Sequence, residues 1–213
     1  TLEPASADAS FRRYLRLAGA GGSFIVMDAP PPQEDVRPFV RMARRIGEAG
    51  LHAPQVLEAD EDRGFLLLSD LGRTLYLERL QQADAPEADA LMRQALQALV
   101  QFQRQVPADD LPPYDEALLA RELALFPEWC VRREFGIAWT DKQQAAWDRI
   151  CRLLIDSALA QPQVAVHRDW MPRNLMVCEG GPGILDFQDA VRGPITYDLA
   201  SMLRDAFLSW EEE

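Results

Sequence analysis

The sequence predicts an α+β fold in two lobes: a small antiparallel sheet lobe over residues 1–72 and a larger helical lobe over residues 73–213. Three observations predict it. The first seventy residues carry short strand-like runs bracketing a glycine turn. After Gly72 the apolar period lengthens to that of helices, with N-terminal caps ahead of the apolar stripes. Close to the C-terminus, short apolar strands bracket a polar octapeptide and then deliver an Asp-Phe pair.

In chain order, Tyr14-Leu15-Arg16-Leu17 and Phe24-Ile25-Val26-Met27 flank Gly19-Ala20-Gly21-Gly22, which reads as a hairpin. Pro30 to Pro32 then break the sheet. Val36, Phe39, Val40, Ala43 and Ile46 share one face of a helix that Gly50 closes from the C′ position. Residues 55–58 and 65–68 are two more strands, the second too apolar for an exposed edge. Asp84 with Glu87 reads as a capping box for a helix carrying Leu91, Ala95, Leu96, Leu99 and Phe102 inward, and Pro107 ends it. Thr140 with Gln143 is a second box, opening a helix whose stripe of Trp147, Ile150, Cys151, Leu154 and Ala158 is expected to be buried. Residues 164–166 and 175–178 are short strands, residues 179–183 a turn, and residues 197–210 a last helix.

Composition excludes several function classes. The 213 residues are 48% hydrophobic with a net charge of −12. Such a surface repels nucleic acid and anionic membranes as non-specific partners. No apolar run reaches the length of a bilayer span, and the chain opens on no signal peptide. Cys130, Cys151 and Cys178 are odd in number and scattered, which fits free thiols in a reducing cytoplasm. Oligomeric state is not legible.

The octapeptide is His167-Arg168-Asp169-Trp170-Met171-Pro172-Arg173-Asn174, followed by Asp186-Phe187; Asn174 is the only asparagine in the chain. The spacing His-x-Asp-x-x-x-x-Asn suits phosphoryl transfer. That reaction needs cations to neutralise the donor phosphates and a group to orient the acceptor hydroxyl. Asp169 serves as the proton acceptor. Asn174 and Asp186 supply oxygen ligands for Mg²⁺, which draws only a few ligands from protein and the rest from phosphate and water. His167 joins Asp169 in the catalytic loop, as a hydrogen-bonding buttress more than as a chemical participant. The bland alternative is a turn at a strand end, built by Pro172 and Asn174. The flanking strands and the spacing to Asp186 weigh against it.

On these residues the chain resembles the aminoglycoside phosphotransferase and choline-kinase-like superfamily, relatives of the protein kinases. Within it the chain is most similar to bacterial kinases that act on the anomeric hydroxyl of N-acetylmuramate and N-acetylglucosamine. The segments that carry this are Asp8 to Tyr14, Phe24 to Pro31, Gly64 to Gly72, Phe126-Pro127-Glu128-Trp129 and Val166 to Trp210. The resemblance implies a bilobal protein-kinase-like fold, ATP and Mg²⁺ as cofactors, and a small sugar or other alcohol as acceptor. It implies Asp169 as the base, Asn174 and Asp186 as metal ligands, and Ser69, Asp70 and Leu71 as the hinge whose backbone reads adenine. It makes Asp198 the aspartate that ties down the catalytic loop. Asp189 is either a further carboxylate of the site or plain surface. The family's later helices, which enclose the acceptor, would lie beyond Glu213: either the chain is a fragment or its acceptor side is incomplete.

Two departures bear on the donor side. Kinases of this fold place a lysine on the third strand, paired with a glutamate on the next helix. Here Met27 holds that position, Lys142 is the only lysine, and the helix offers Arg41, Arg44 and Arg45. The segment that would be glycine-rich reads Ser6-Ala7-Asp8-Ala9-Ser10-Phe11, with Ser10 as its candidate nucleotide contact. Arginine is expected to replace lysine at the phosphates, from among Arg12, Arg13 and Arg41, because a guanidinium chelates phosphate oxygens in pairs. Three readings stay open: the amino-sugar kinase, a kinase of another alcohol such as an aminoglycoside, choline or homoserine, and a nucleotide-binding pseudokinase. A Walker-type loop is excluded, since Gln143 follows the sole lysine.

Overall fold

The fold is that of a computed structural model, which describes residues 2–7, 11–19 and 22–209. The hairpin forms as expected, from β2 (Arg13–Gly19) and β3 (Gly22–Asp28). A further strand that the sequence reading had not separated, β1 (Leu2–Ala7), pairs with β2. With β4 (Val56–Asp60) and β5 (Phe65–Ser69) they make a five-stranded antiparallel sheet in the order β1-β2-β3-β5-β4. Strand β5 is thus internal, as its apolar run demanded.

Helix α1 (Arg37–Glu48) buries Phe39, Met42, Ala43 and Ile46, and Gly50 follows its end with φ of 71°. That left-handed conformation costs glycine nothing and most residues about 1 kcal/mol or more.

Beyond the hinge come α2 (Tyr76–Leu80), the long α3 (Ala85–Gln105), α4 (Glu116–Leu123), a π-helical segment (Phe126–Glu134) and α5 (Asp141–Leu159). At α3, Asp84 accepts from the Glu87 amide while the Glu87 carboxylate pairs with Arg79, so the first box is half made. The Thr140–Gln143 box at α5 is complete. Then β6 (Gln163–Val166) pairs with β9 (Val191–Pro194), and β7 (Leu175–Met176) with β8 (Gly183–Ile184).

Two expectations are corrected. The α5 stripe is not a core face: Ile150 and Leu154 are each 48% exposed, and Ile155 is the residue of α5 that is buried. The helix packs on α4 and β9 through Ile155, which rotates the expected stripe toward a 340 Å³ cleft bordered by Phe126, Trp147, Leu154 and Tyr197. The last helix, α6, spans only Tyr197–Leu203. The Asp205 carboxylate accepts from the Phe207 amide, a local turn that competes with helical bonding.

The composition break at Gly72 is not a break in packing. One core cluster runs from Met27 and Leu68 through Phe39 and Phe102 to Trp170 and Phe187. The Phe39 and Phe187 rings meet at 4.7 Å, and the Ile184 amide donates to the His52 carbonyl at 2.8 Å. The segment carrying Asp186 is therefore set between the two lobes. Among the described residues, no helix is long and apolar enough to cross a membrane.

Candidate active site

The catalytic loop leaves the buried strand β6 and is held from beneath. Asp198, at the start of α6 and fully buried, accepts the amides of His167 at 2.7 Å and Arg168 at 2.9 Å. Burial pushes its pKa up, the two amides pull it back in part, and it lies at about 6. This is the tethering role the resemblance implied. Arg168 sits at φ of 81° and Asp186 at 61°, both in the left-handed region. Non-glycine residues there cost on the order of 1–3 kcal/mol and persist only where the surroundings impose them.

His167 is fully buried and its tautomer follows from its partners. Nδ1 lies 3.3 Å from the Asp169 amide, so it accepts; Nε2 lies 2.9 Å from the Leu185 carbonyl, so it donates. Burial lowers its pKa to about 4, against the pull of Asp186 and of the Leu185 carbonyl. A neutral imidazole thus spans the catalytic loop and the Asp186 segment. With no exposed surface and both ring nitrogens bonded to backbone, it is placed to brace the two segments.

Asp169 is half-buried. Burial raises its pKa first and the charge of Asp186 second, which makes it a better proton acceptor than a free carboxylate. Asn174 follows from a 3₁₀ turn (Pro172–Asn174) and donates its Nδ2 to the Asp169 carbonyl at 3.0 Å. Its amide oxygen is thereby the group left for a cation. Asp186 Oδ1 accepts from Gln188 Nε2 at 2.7 Å. One amide oxygen and one carboxylate are a donor set of the kind Mg²⁺ takes from protein, the rest of its ligands coming from phosphate and water. Asp189 is exposed and adds to the charge felt at Asp169.

On the sheet side the candidate arginines separate. Arg12 is nearly buried, with Nη2 at 3.9 Å from Asp186 and Nε at 3.6 Å from Glu34. Glu34 also accepts the Phe11 amide at 3.2 Å. Arg13, one residue on, has its side chain 71% exposed and pairs with Asp28 along the sheet. Arg41 is exposed on α1, on the side of Asp110, where it assists Arg45 in lowering that carboxylate's pKa. Met27 is 1% exposed and packed in the core. Ser10 lies outside the described residues.

At the hinge, the Asp70 carboxylate accepts from Arg16 at 2.6 and 3.1 Å, from Ser23 at 2.5 Å and from the Gly72 amide at 3.0 Å. Burial pushes its pKa up, and these bonds more than offset it, leaving it at about 2. Ser69 exchanges bonds with Gln55, and the Leu71 carbonyl takes the Cys178 thiol at 3.4 Å. Linear reading missed Glu34, Arg16 and Glu122, a partner of Arg168. None has a motif spacing; the only cue for Arg16 is a charged residue amid a run of strand residues.

A model described as the phosphotransferase enzyme family matches residues 1–213. The chain belongs to this family. It is 56% identical over its whole length to an N-acetylmuramate/N-acetylglucosamine kinase of Pseudomonas putida, and 47% identical over 98% of its length to one of Neisseria meningitidis. It spans 62% and 63% of the length of those relatives. Among solved structures, it resembles aminoglycoside phosphotransferase APH(2'')-Ib with ADP bound (TM-score 0.67, 16% identity, 97% of this chain and 72% of that one). It also resembles choline kinase LicA from Streptococcus pneumoniae (TM-score 0.67, 12% identity, 98% of this chain and 70% of that one). The two-lobed fold of this chain is thus the kinase-like fold of those enzymes.

Proposed function

We propose that this phosphotransferase chain carries the donor site and the base of an ATP- and Mg²⁺-dependent kinase. Its acceptor is the anomeric hydroxyl of N-acetylmuramate or N-acetylglucosamine. The observation that carries the reading is the proximity of Asp169, Asn174, Asp186 and Arg12 to one another. The choice of acceptor is supported by the names of the curated relatives.

Asp169 takes the proton as the acceptor oxygen bonds to the γ-phosphorus and the bond from that phosphorus to the bridging oxygen breaks, releasing ADP. Asn174 and Asp186 would hold Mg²⁺, which neutralises phosphate charge when bound with the nucleotide. Arg12 replaces the missing strand lysine, and Glu34 orients it from the segment before α1. This substitution keeps a cation beside the phosphates and adds bidentate geometry. Arg13 points along the sheet and Arg41 toward Asp110, so Arg12 is the choice among the three. The backbone of the hinge receives adenine, with the Asp70 side chain committed to holding that hinge.

The test uses the whole protein with ATP, Mg²⁺ and a panel of acceptors. N-acetylmuramate and N-acetylglucosamine should give an acid-labile, alkali-stable phosphate, and their methyl glycosides should be inert because the anomeric oxygen is blocked. Phosphorylation of the methyl glycosides would remove the anomeric assignment. Turnover only with choline, homoserine or an aminoglycoside would move the acceptor class. Tight ATP binding without turnover on any acceptor would leave a nucleotide-binding module.

A further inference from the structure

We infer that Glu122, on α4, is a positioning residue for the catalytic base, and that it acts by keeping the neighbouring Arg168 guanidinium away from Asp169. The inference rests on the kinase reading above.

Glu122 is far from the octapeptide in sequence, yet both its oxygens are engaged next to it. Oε1 accepts from Arg168 Nη2 at 2.8 Å. Oε2 accepts from the Tyr197 hydroxyl at 3.1 Å and from the Tyr114 hydroxyl. Tyr114 is 1% exposed, and its hydroxyl stays protonated because burial and the Glu122 bond raise its pKa. Tyr197 precedes Asp198, the residue that holds the Arg168 amide. One short stretch therefore fixes Arg168 twice: Asp198 holds its backbone, and Tyr197 fixes the carboxylate that holds its side chain.

The need for such a clamp follows from electrostatics. Arg168 is adjacent to Asp169 in the chain and sits at positive φ. A half-buried guanidinium without a carboxylate partner would be drawn to another one, and Asp169, the next residue in the chain, already feels its charge. An Asp169 carboxylate drawn into a pair with Arg168 would be turned away from the acceptor. Glu122 supplies a competing carboxylate, and its two phenol donors hold it where the competition is won. Arg168 Nε is buried and makes no hydrogen bond, so Glu122 holds the guanidinium by its Nη2 end, with the Tyr114 ring 6.0 Å from its centre.

The experiment compares the parent, Glu122→Gln, Arg168→Gln and the double variant in the whole protein. Parent turnover comes first: a parent that phosphorylates no acceptor defeats the kinase reading and not the clamp. Given an active parent, Glu122→Gln should lower kcat by tenfold or more with ATP affinity, measured by titration calorimetry, unchanged. In the Arg168→Gln background the same substitution should have no further effect on kcat. Glu122→Asp should recover part of the loss. Parent-like kcat in Glu122→Gln overturns the inference, as does an equal loss in both backgrounds, since Glu122 would then not act through Arg168. If Glu122→Gln does not fold, Tyr197→Phe weakens the same carboxylate's anchoring and should lower kcat in the parent background only; an unchanged kcat there overturns the clamp.

Discussion

The two sides of the candidate active site hold their residues by different means. Toward the sheet, side chains pair with side chains: Arg16 with Asp70 at the hinge and Arg12 with Glu34 beside Asp186. In the catalytic loop, side chains hold backbone: Asp198 takes two amides, His167 joins an amide to a carbonyl, and Asn174 takes the Asp169 carbonyl. Two aspartates summarise the difference. Both are removed from water, yet Asp70 titrates at about 2 and Asp198 at about 6. A cationic partner outweighs desolvation at Asp70, whereas two neutral amides do not outweigh it at Asp198. The sheet side is therefore built to tolerate charge, and the loop over residues 167–174 is built to fix geometry even at an electrostatic cost.

The largest expected effect probes the loop's chemistry. Asp169→Asn should lower kcat about 10²- to 10⁴-fold, the usual contribution of a positioned general base. ATP affinity should stay at the parent value, since the donor is held from the other side; a matching loss of affinity would merge the two sides.

Next comes the tether. Asp198→Ala leaves two buried amides without acceptors and should cost about 3 kcal/mol at about 1–3 kcal/mol per orphaned donor. Chemical denaturation measures it. Its pH dependence follows from the raised pKa. Between about 4 and about 6 the folded parent holds a proton that the unfolded chain, at 3.8, has lost. This group's contribution therefore falls as pH rises through that window. The variant should lack that slope, and an unchanged slope would show that Asp198 is not its source.

Arg16→Met should cost less, about 2 kcal/mol, the scale of hydrogen bonds to a charged group. Here the sign reverses. Asp70 is held below 3.8, so its contribution is complete above that value and is lost as pH falls toward 2. The variant should lose less stability than the parent on acidification below about pH 4. The smallest effect separates neighbours on β2 and the turn before it. Arg12→Ala should weaken ATP binding about tenfold, or about 1.4 kcal/mol, while Arg13→Ala should bind ATP like the parent. Equal losses would return Arg13 to the phosphates.

Local chemistry made much of the fold legible. The hairpin, the helix before Gly50, the internal strand β5 and the Thr140 box were readable because alternation, caps and turn glycines act within a few residues. The α5 stripe was misread for the converse reason. An apolar face states what would favour burial, but the docking of Ile155 on α4 and β9 decides which side is covered. The same limit governs the site. Met27 could be recognised as an absent lysine, but not Arg12 as the cation nearest Asp186. Arg12 and Arg13 are equal in sequence, and only the start of β2 sends one toward the mouth and the other along the sheet.

The sequence by itself pointed to the proposed reaction class, because the groups assigned to phosphoryl transfer lie within one short loop and the turn after it. Their roles depend on residue type and on a spacing that two strands impose. Only the tertiary structure decided how those groups are supported. Glu34, Asp70 and Glu122 stand 22, 54 and 46 residues from the arginines they bind or face. Contacts at such separations leave no period or motif in the chain; they exist only once each lobe has folded and brought opposite charges out of water together.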